Sequence, residues 1–373
     1  LLDFAVNATA EYFHHGVAMP NLKDPVTNYK KALNYFIQID SVSKYSHFKP
    51  LVTIYLTGDI KEIDISEGAS DPRLIGVKLY PSGVTTNSSN GVSNIKDCFK
   101  IFEWMEKYDL PLLVHGEVNN PKTDIFDREK IFIDDELISI TQNFPKLRVI
   151  FEHISTKDAV DFVKESSDLV AATITPQHMI LNRNDLLSGG LKPHHYCLPV
   201  VKREIHRKAI AEAAFSGNKK FFLGTDSAPH YKNQKQSSCG CAGIFSASSA
   251  LVIYLEAFDK ADSLDKFEDF CVNNSSDFYN LVKTDKKITF KKEPCEIQSS
   301  YVVGDQEIIP FMANQKIHGL LQRSYNNCQV SRAVAIYRGK SGLQRAWCWL
   351  TANHCEMRNR ATETSVLSYG ETR

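Results

Sequence analysis

Seven short apolar or β-branched runs alternate with amphipathic stretches, and this alternation restricts the fold more than any other feature of the chain. The runs are "GVAMPN" (16–21), "PLVTIYLT" (50–57), "IGVKLYP" (75–81), "PLLVHGE" (111–117), "RVIFEHI" (148–154), "VAATITP" (170–176) and "FFLGTD" (221–226). Strands so continuously apolar are buried on both faces, which in a βα alternation means a parallel sheet covered by helices. The intervening stretches fit that reading. In "SNIKDCFKIFEWMEKYD", Ser93 is placed to cap a helix that sets Ile95, Phe99, Phe102 and Met105 on one face, and "PVVKREIHRKAIAEAAFSG" reads as another helix stopped at Gly217. Such a sheet is either doubly wound or closed as a TIM-type (β/α)8 barrel. Neither G-x-G-x-x-G nor G-x-x-x-x-G-K-[ST] occurs, which removes the phosphate-loop signatures of the first. The strand ends carry Asn21, Lys78, His115, His153 and Asp226, and polar groups on several strand ends are how a barrel builds its chemistry. Closure needs eight strands and the sequence supplies seven, so the expectation is an α/β barrel short of one strand.

Lys78 interrupts one of the most apolar runs, and an unpaired ammonium in such a place is costly enough that the lysine deprotonates, pairs or is modified. The plain reading is an ion pair with a neighbour such as Glu117. The chemical reading is that a neutral, desolvated amine adds carbon dioxide and becomes a carbamate, an anion able to bridge two metal ions. His115, His153 and Asp226 have the right donor types for zinc. Taken singly, each histidine is equally a satisfied core group, and Asp226 in "GTDSAPH" could cap the turn that follows.

Charge and cysteine content narrow the classes further. Lys+Arg and Asp+Glu both number 44, so no basic surplus points to nucleic acid or to an anionic membrane. No apolar run reaches the length of a membrane span, and "LLDFAVNATAEYFHH" has neither a basic n-region nor a small-residue cleavage site, which leads to the expectation of a cytoplasmic protein. Nine scattered cysteines, of which only Cys239 and Cys241 are close together, suit buried or incidental thiols better than a disulfide framework. The first residue is Leu1 and not methionine, read as a processed or incomplete start. From about His318 the composition shifts towards Arg, Cys and Trp without a sustained period, so residues 1–317 are read as the barrel domain and 318–373 as a tail.

Several segments are long and specific: "KLYPSGVTTNSSNGV", "MEKYDLPLLVHGEV", "DIFDRE", "FEHISTKDA", "AATITPQHMILNRN", "HHYCLPVVKR" and "FLGTDSAPH…KQSSCGCAG". In this order, from about Leu1 to about Ile317, they resemble the dihydroorotases of the bacterial single-enzyme type, within the amidohydrolase superfamily. The resemblance implies a barrel with a binuclear zinc centre. Lys78 would be the carboxylated bridging ligand, His115 and His153 would hold one zinc, and Asp226 would bind the other and act as general acid/base. Thr85 and Thr86 fall in the family's substrate loop, Asn21 and His230 match groups that hold the substrate carboxylate, and Leu198, Ala242 and Gly243 match ring contacts. "SSCGCAG" would shape the pocket wall without supplying a ligand. The implied reaction is the reversible cyclisation of N-carbamoyl-L-aspartate to L-dihydroorotate in pyrimidine biosynthesis, and the implied assembly is a homodimer.

One departure bears on all of this. The family's first strand ends in His-x-His followed by an arginine, and no His-x-His occurs here; His14-His15 is adjacent and lies before the wrong strand. At most one tightly held zinc is therefore expected, without the arginine contact to the carboxylate, in a barrel with two unpaired strand edges. The preferred reading is an active dihydroorotase with an incomplete start. The alternatives are a non-catalytic homologue partnering another pyrimidine enzyme such as aspartate transcarbamoylase, and a related cyclic amidase of dihydropyrimidinase or allantoinase type.

Overall fold

The structure, a computed structural model, describes residues 1–284 and 288–321. Seven parallel strands form one sheet in sequential order: β1 (His15–Ala18), β2 (Lys49–Tyr55), β3 (Leu74–Leu79), β4 (Leu112–Val114), β5 (Val149–Phe151), β6 (Val170–Ile174) and β7 (Phe221–Leu223). Each falls within or against one of the seven apolar runs. Register runs Tyr55 to Lys78 to Leu113 to Ile150 to Ala171 across five neighbouring strands. Among the described residues β1 pairs only with β2 and β7 only with β6, so the curled sheet keeps two free edges, as the count of seven implies.

Alternation along the strands separates two cores. Val77, Leu79, Leu112, Val114, Val149, Phe151, Ala172, Ile174 and Phe221 point outward into a large cluster with the covering helices. Those helices contribute Phe102 and Met105 from Phe99–Tyr108, Val160 and Val163 from Lys157–Glu165, and Tyr254 and Phe258 from Ala250–Lys260. Leu113, Ile150, Ala171 and Phe222 point inward and pack with Val17, Met19, Phe278 and Tyr279. Burying each large apolar side chain is worth about 1.5–3 kcal/mol, and a one-residue slip would exchange the two faces, so register is strongly specified.

The expected helix near residue 93 begins as a 3-10 turn, Ile95–Cys98, and continues as Phe99–Tyr108. Its cap is Asn94 and not Ser93: the Asn94 side chain accepts from the Lys96 N–H, a short reach that suits the tighter first turn. Helix Glu204–Phe215 ends ahead of Gly217, whose φ of 73° is the left-handed conformation that glycine adopts without strain. Beyond the barrel, β8 (Phe290–Glu296) pairs antiparallel with a strand at Lys316–Leu321, and β9 (Tyr301–Val303) and β10 (Gln306–Ile308) form a hairpin between them. The fourth of these strands, β11, thus runs through the boundary expected at 317, and the tail beyond Leu321 lies outside the described residues. Among the described residues no helix is long and apolar enough to cross a membrane.

Candidate active site

At the C-terminal ends of the strands a cavity of about 790 Å³ continues down the gap between β1 and β7. Lys78, His115, His153 and Asp226 all line it, and so do Asn21, Thr85, Thr86, Leu198, His230, Ala242 and Gly243. Five strand ends and the loops after β3, β6 and β7 therefore gather, in one place, every residue nominated from the sequence.

Parity explains the gathering. Lys78 is two positions beyond Gly76 on the inner face of β3, His115 is two beyond the inward Leu113, and Glu152 is two beyond the inward Ile150. His153 and Asp226 reach the same space differently, for both have left-handed backbones, with φ of 44° and 43°. A non-glycine residue held there costs of order 1–3 kcal/mol and is a feature of functional sites. The His153 turn is fixed from two sides. Its N–H donates to Thr173 Oγ1 at 2.7 Å, and the next residues are clamped by Glu129, which is fully buried and accepts from Ser155 N at 2.9 Å, Ser155 Oγ at 2.7 Å and Thr156 Oγ1 at 2.5 Å.

The partner of Lys78 is Glu152 and not the expected Glu117. Lys78 Nζ is ion-paired with the Glu152 carboxylate, in side chains 1% and 10% exposed, and lies 5.1 Å from the Tyr80 ring centroid. Glu117 serves His115 instead, accepting from Nε2 at 3.0 Å, because the two residues are i and i+2 and share a face. Donation of Nε2–H leaves Nδ1 as the lone-pair nitrogen of His115. The His115 and His153 rings are 4.8 Å apart, and burial lowers the pKa of both, so both are neutral imidazoles near pH 7. His153 Nδ1 is buried and has no hydrogen-bond partner among the described residues. Burial pushes the Asp226 carboxyl up to about 7, against an opposing pull from Lys78 and with a contribution from Glu152. The cavity thus holds two unprotonated nitrogen donors, a carboxyl able to exchange a proton near neutrality, and a lysine ammonium paired with a carboxylate.

The remaining nominated residues form the walls. Asn21 Nδ2 donates to the Thr86 carbonyl at 3.1 Å and Asn87 Nδ2 to the Asn21 carbonyl at 3.0 Å, joining the loop after β3 to the end of β1. The His230 ring is hydrogen-bonded to the Ala242 backbone, and burial lowers its pKa.

The amidohydrolase family model matches residues 54–283. The dihydroorotase of Shewanella sp. (strain ANA-3) is 45% identical over 317 residues, covering 85% of this chain and 92% of its own. Among solved structures, dihydroorotase from Campylobacter jejuni superposes with a TM-score of 0.79 at 31% identity, over 86% of this chain and 92% of the other. Dihydroorotase from Saccharomyces cerevisiae, in complex with 5-fluoroorotic acid, superposes with a TM-score of 0.77 at 29% identity, over 86% and 92%. The chain belongs to the dihydroorotase family of amidohydrolases.

As a member of the dihydroorotase family it is a hydrolase acting on cyclic amides, with a small-molecule substrate, in a wider family that is generally metal-dependent. Against that background Glu152, Glu129 and Thr173 are the functional-site residues that sequence reading did not single out. Glu152 had a usable signal, since its spacing of two from Ile150 places it inward. Glu129 and Thr173 had none, because their partners are 26 and 20 residues away.

Proposed function

We propose that the chain catalyses the reversible interconversion of N-carbamoyl-L-aspartate and L-dihydroorotate. The observation that carries this reading is the convergence of Lys78, His115, His153 and Asp226 on a cavity walled by Asn21, Thr85, Thr86, Leu198, His230, Ala242 and Gly243. The 5-fluoroorotic acid bound by the yeast relative is a planar analogue of the same ring and carboxylate.

The donors fit a metal ion, with one requirement. His115 and His153 are neutral and adjacent, and His153 Nδ1 is without a partner, but among the described residues no three His, Cys, Asp or Glu side chains are grouped to hold a metal. A third ligand of another kind is needed, and Lys78 as its carbamate is the neighbour that can supply it. Carbon dioxide adds to the neutral amine, so the Lys78–Glu152 pair opens with loss of one proton to solvent, and a second proton leaves the nitrogen as its bond to carbon forms. A zinc ion held by His115, His153 and that carbamate would polarise the ring amide carbonyl and acidify the attacking water. Asp226 takes the proton from the nucleophile and delivers it to the leaving ring nitrogen, a task suited to a carboxyl buried in the cavity beside the reacting groups. Asn21 and His230 orient the substrate carboxylate while Thr85 and Thr86 close over it, and a homodimer is the proposed assembly.

The test is hydrolysis of L-dihydroorotate by the chain supplied with zinc and bicarbonate, beside an Asp226→Asn control, with dihydrouracil and allantoin as competing substrates. Turnover of dihydroorotate well above the control supports the reading. Turnover of another cyclic amide in its place, or none in a folded, zinc-loaded protein, removes it.

A further inference from the structure

We infer that Lys235, which lies outside the proposed catalytic set, is a positioning residue: its ammonium ties together the two backbone segments that form the pocket wall at Leu198, Ala242 and Gly243. This rests on the reading of that wall as the substrate-facing one. Lys235 is 3% exposed, and among the described residues its hydrogen-bond partners are carbonyls, with no carboxylate. Its three N–H groups match three acceptors, Tyr196 O at 2.9 Å, Cys241 O at 2.8 Å and Gly243 O at 2.6 Å. Tyr196 lies two residues before Leu198, and Cys241 and Gly243 flank Ala242. One cation therefore fixes the backbone on both sides of the wall.

The surrounding geometry shows why a tie is needed. Neither segment is in a strand, so no ladder holds the two together; the direct bond between them is Gly243 N–H to Tyr196 O at 3.0 Å, and it shares its acceptor with Lys235. Gly243 has a φ of 138°, and a Cβ there would stand 2.8 Å from His230 Cδ2 and 2.9 Å from the Ala228 Cβ, so the segment passes the His230 ring with no spare room. A buried lysine without a counter-carboxylate costs desolvation that three carbonyl dipoles only partly offset. An apolar residue would pack the same space without that cost, but it would leave three buried carbonyls free to turn.

The test compares the full chain with Lys235→Met, zinc-loaded, by amide hydrogen exchange and by calorimetric titration with L-dihydroorotate. The expected result is faster exchange at 194–198 and 240–244, unchanged protection in β3 to β6, unchanged zinc content, and a dissociation constant raised about tenfold or more, the scale of losing one to two net hydrogen bonds. Lys235→Arg, which keeps the cation, is expected to recover part of the affinity. Gly240→Ala gives a second route should Lys235→Met not fold, because the new Cβ would stand 2.5 Å from the Lys235 carbonyl oxygen and displace the lysine with all its donors intact. Unchanged exchange in the two segments, or loss of protection spread evenly over the barrel, overturns the positioning role. Failure of the unaltered chain to bind L-dihydroorotate overturns the substrate reading instead, and the exchange measurement still decides the role of Lys235.

Discussion

Replacing Lys78 by Gln removes the ammonium from an ion pair whose side chains are 1% and 10% exposed, leaving the Glu152 carboxylate at the inner mouth of the barrel without its cation. At that burial, solvent screens little. Breaking such a pair from one side costs about 3–5 kcal/mol, because the remaining charge stays desolvated. The double variant Lys78→Gln/Glu152→Gln places two neutral amides in the same space, able to bond to each other, and should return to within about 1 kcal/mol of the starting stability. Chemistry should behave in the opposite way. Neither variant has an amine to carboxylate, so both should lose zinc and at least about a hundredfold in turnover. Urea unfolding midpoints of the three metal-free proteins, with zinc stoichiometry and dihydroorotate hydrolysis of the same proteins after addition of zinc and bicarbonate, separate the two roles. A single variant as stable as the parent would refute the pairing energetics. A double variant that regained turnover along with stability would refute the ligand role of Lys78.

Three further outcomes follow from other parts of the site. His178 is neutral and buried, accepting from Thr175 Oγ1 at Nδ1 (2.7 Å) and donating from Nε2 to the Pro199 carbonyl (2.8 Å), and burial lowers its pKa to about 4. Only the unfolded chain takes up its proton as pH falls from 6.5 towards 4, so its contribution is complete above pH 6.5 and about 3 kcal/mol is lost across that window. Stability measured against pH should be flatter there in His178→Gln, and parallel curves would contradict the assignment. Glu129→Ala strands the Ser155 N–H and two hydroxyls, and should cost about 3–5 kcal/mol by urea unfolding while weakening zinc binding through the His153 turn; retained zinc affinity would break that link. Zinc at a hundredfold excess over its dissociation constant should raise the unfolding free energy by about 2.7 kcal/mol, and His115→Ala with His153→Ala should abolish the rise.

The legible part of this molecule is the part governed by short-range periodicity. All seven barrel strands could be read because residues such as Val77, Leu79, Leu112 and Val114 are buried in the helix layer while Leu113 and Ile150 are buried inside, so the runs are apolar on both faces. The strand-end residues could be read from their positions at those boundaries. What escaped depends on pairing between distant segments. Sequence points Lys78 towards Glu117, yet the nearer inward carboxylate is Glu152, 74 residues away at the end of another strand. The backbone inversions at His153 and Asp226, and the Lys235 tie, follow from how loops pack once the barrel has formed. Asn94 caps in place of Ser93 for a smaller reason: a 3-10 first turn moves the capping position by one residue.

The left-handed backbones of His153 and Asp226 set a conflict that becomes visible under laboratory evolution. Glycine would relax either position by about 1 kcal/mol, and it is the one replacement for which the local φ carries no steric penalty. A library sorted only for survival on heating in the absence of zinc should therefore enrich His153→Gly and Asp226→Gly early, and the sorted population would keep its barrel while losing its catalytic groups. Under selection for turnover the same two codons should resist change. Heat resistance and catalysis thus pull in opposite directions on two residues, and the ratio of glycine to wild type at each would report which pressure a population had experienced.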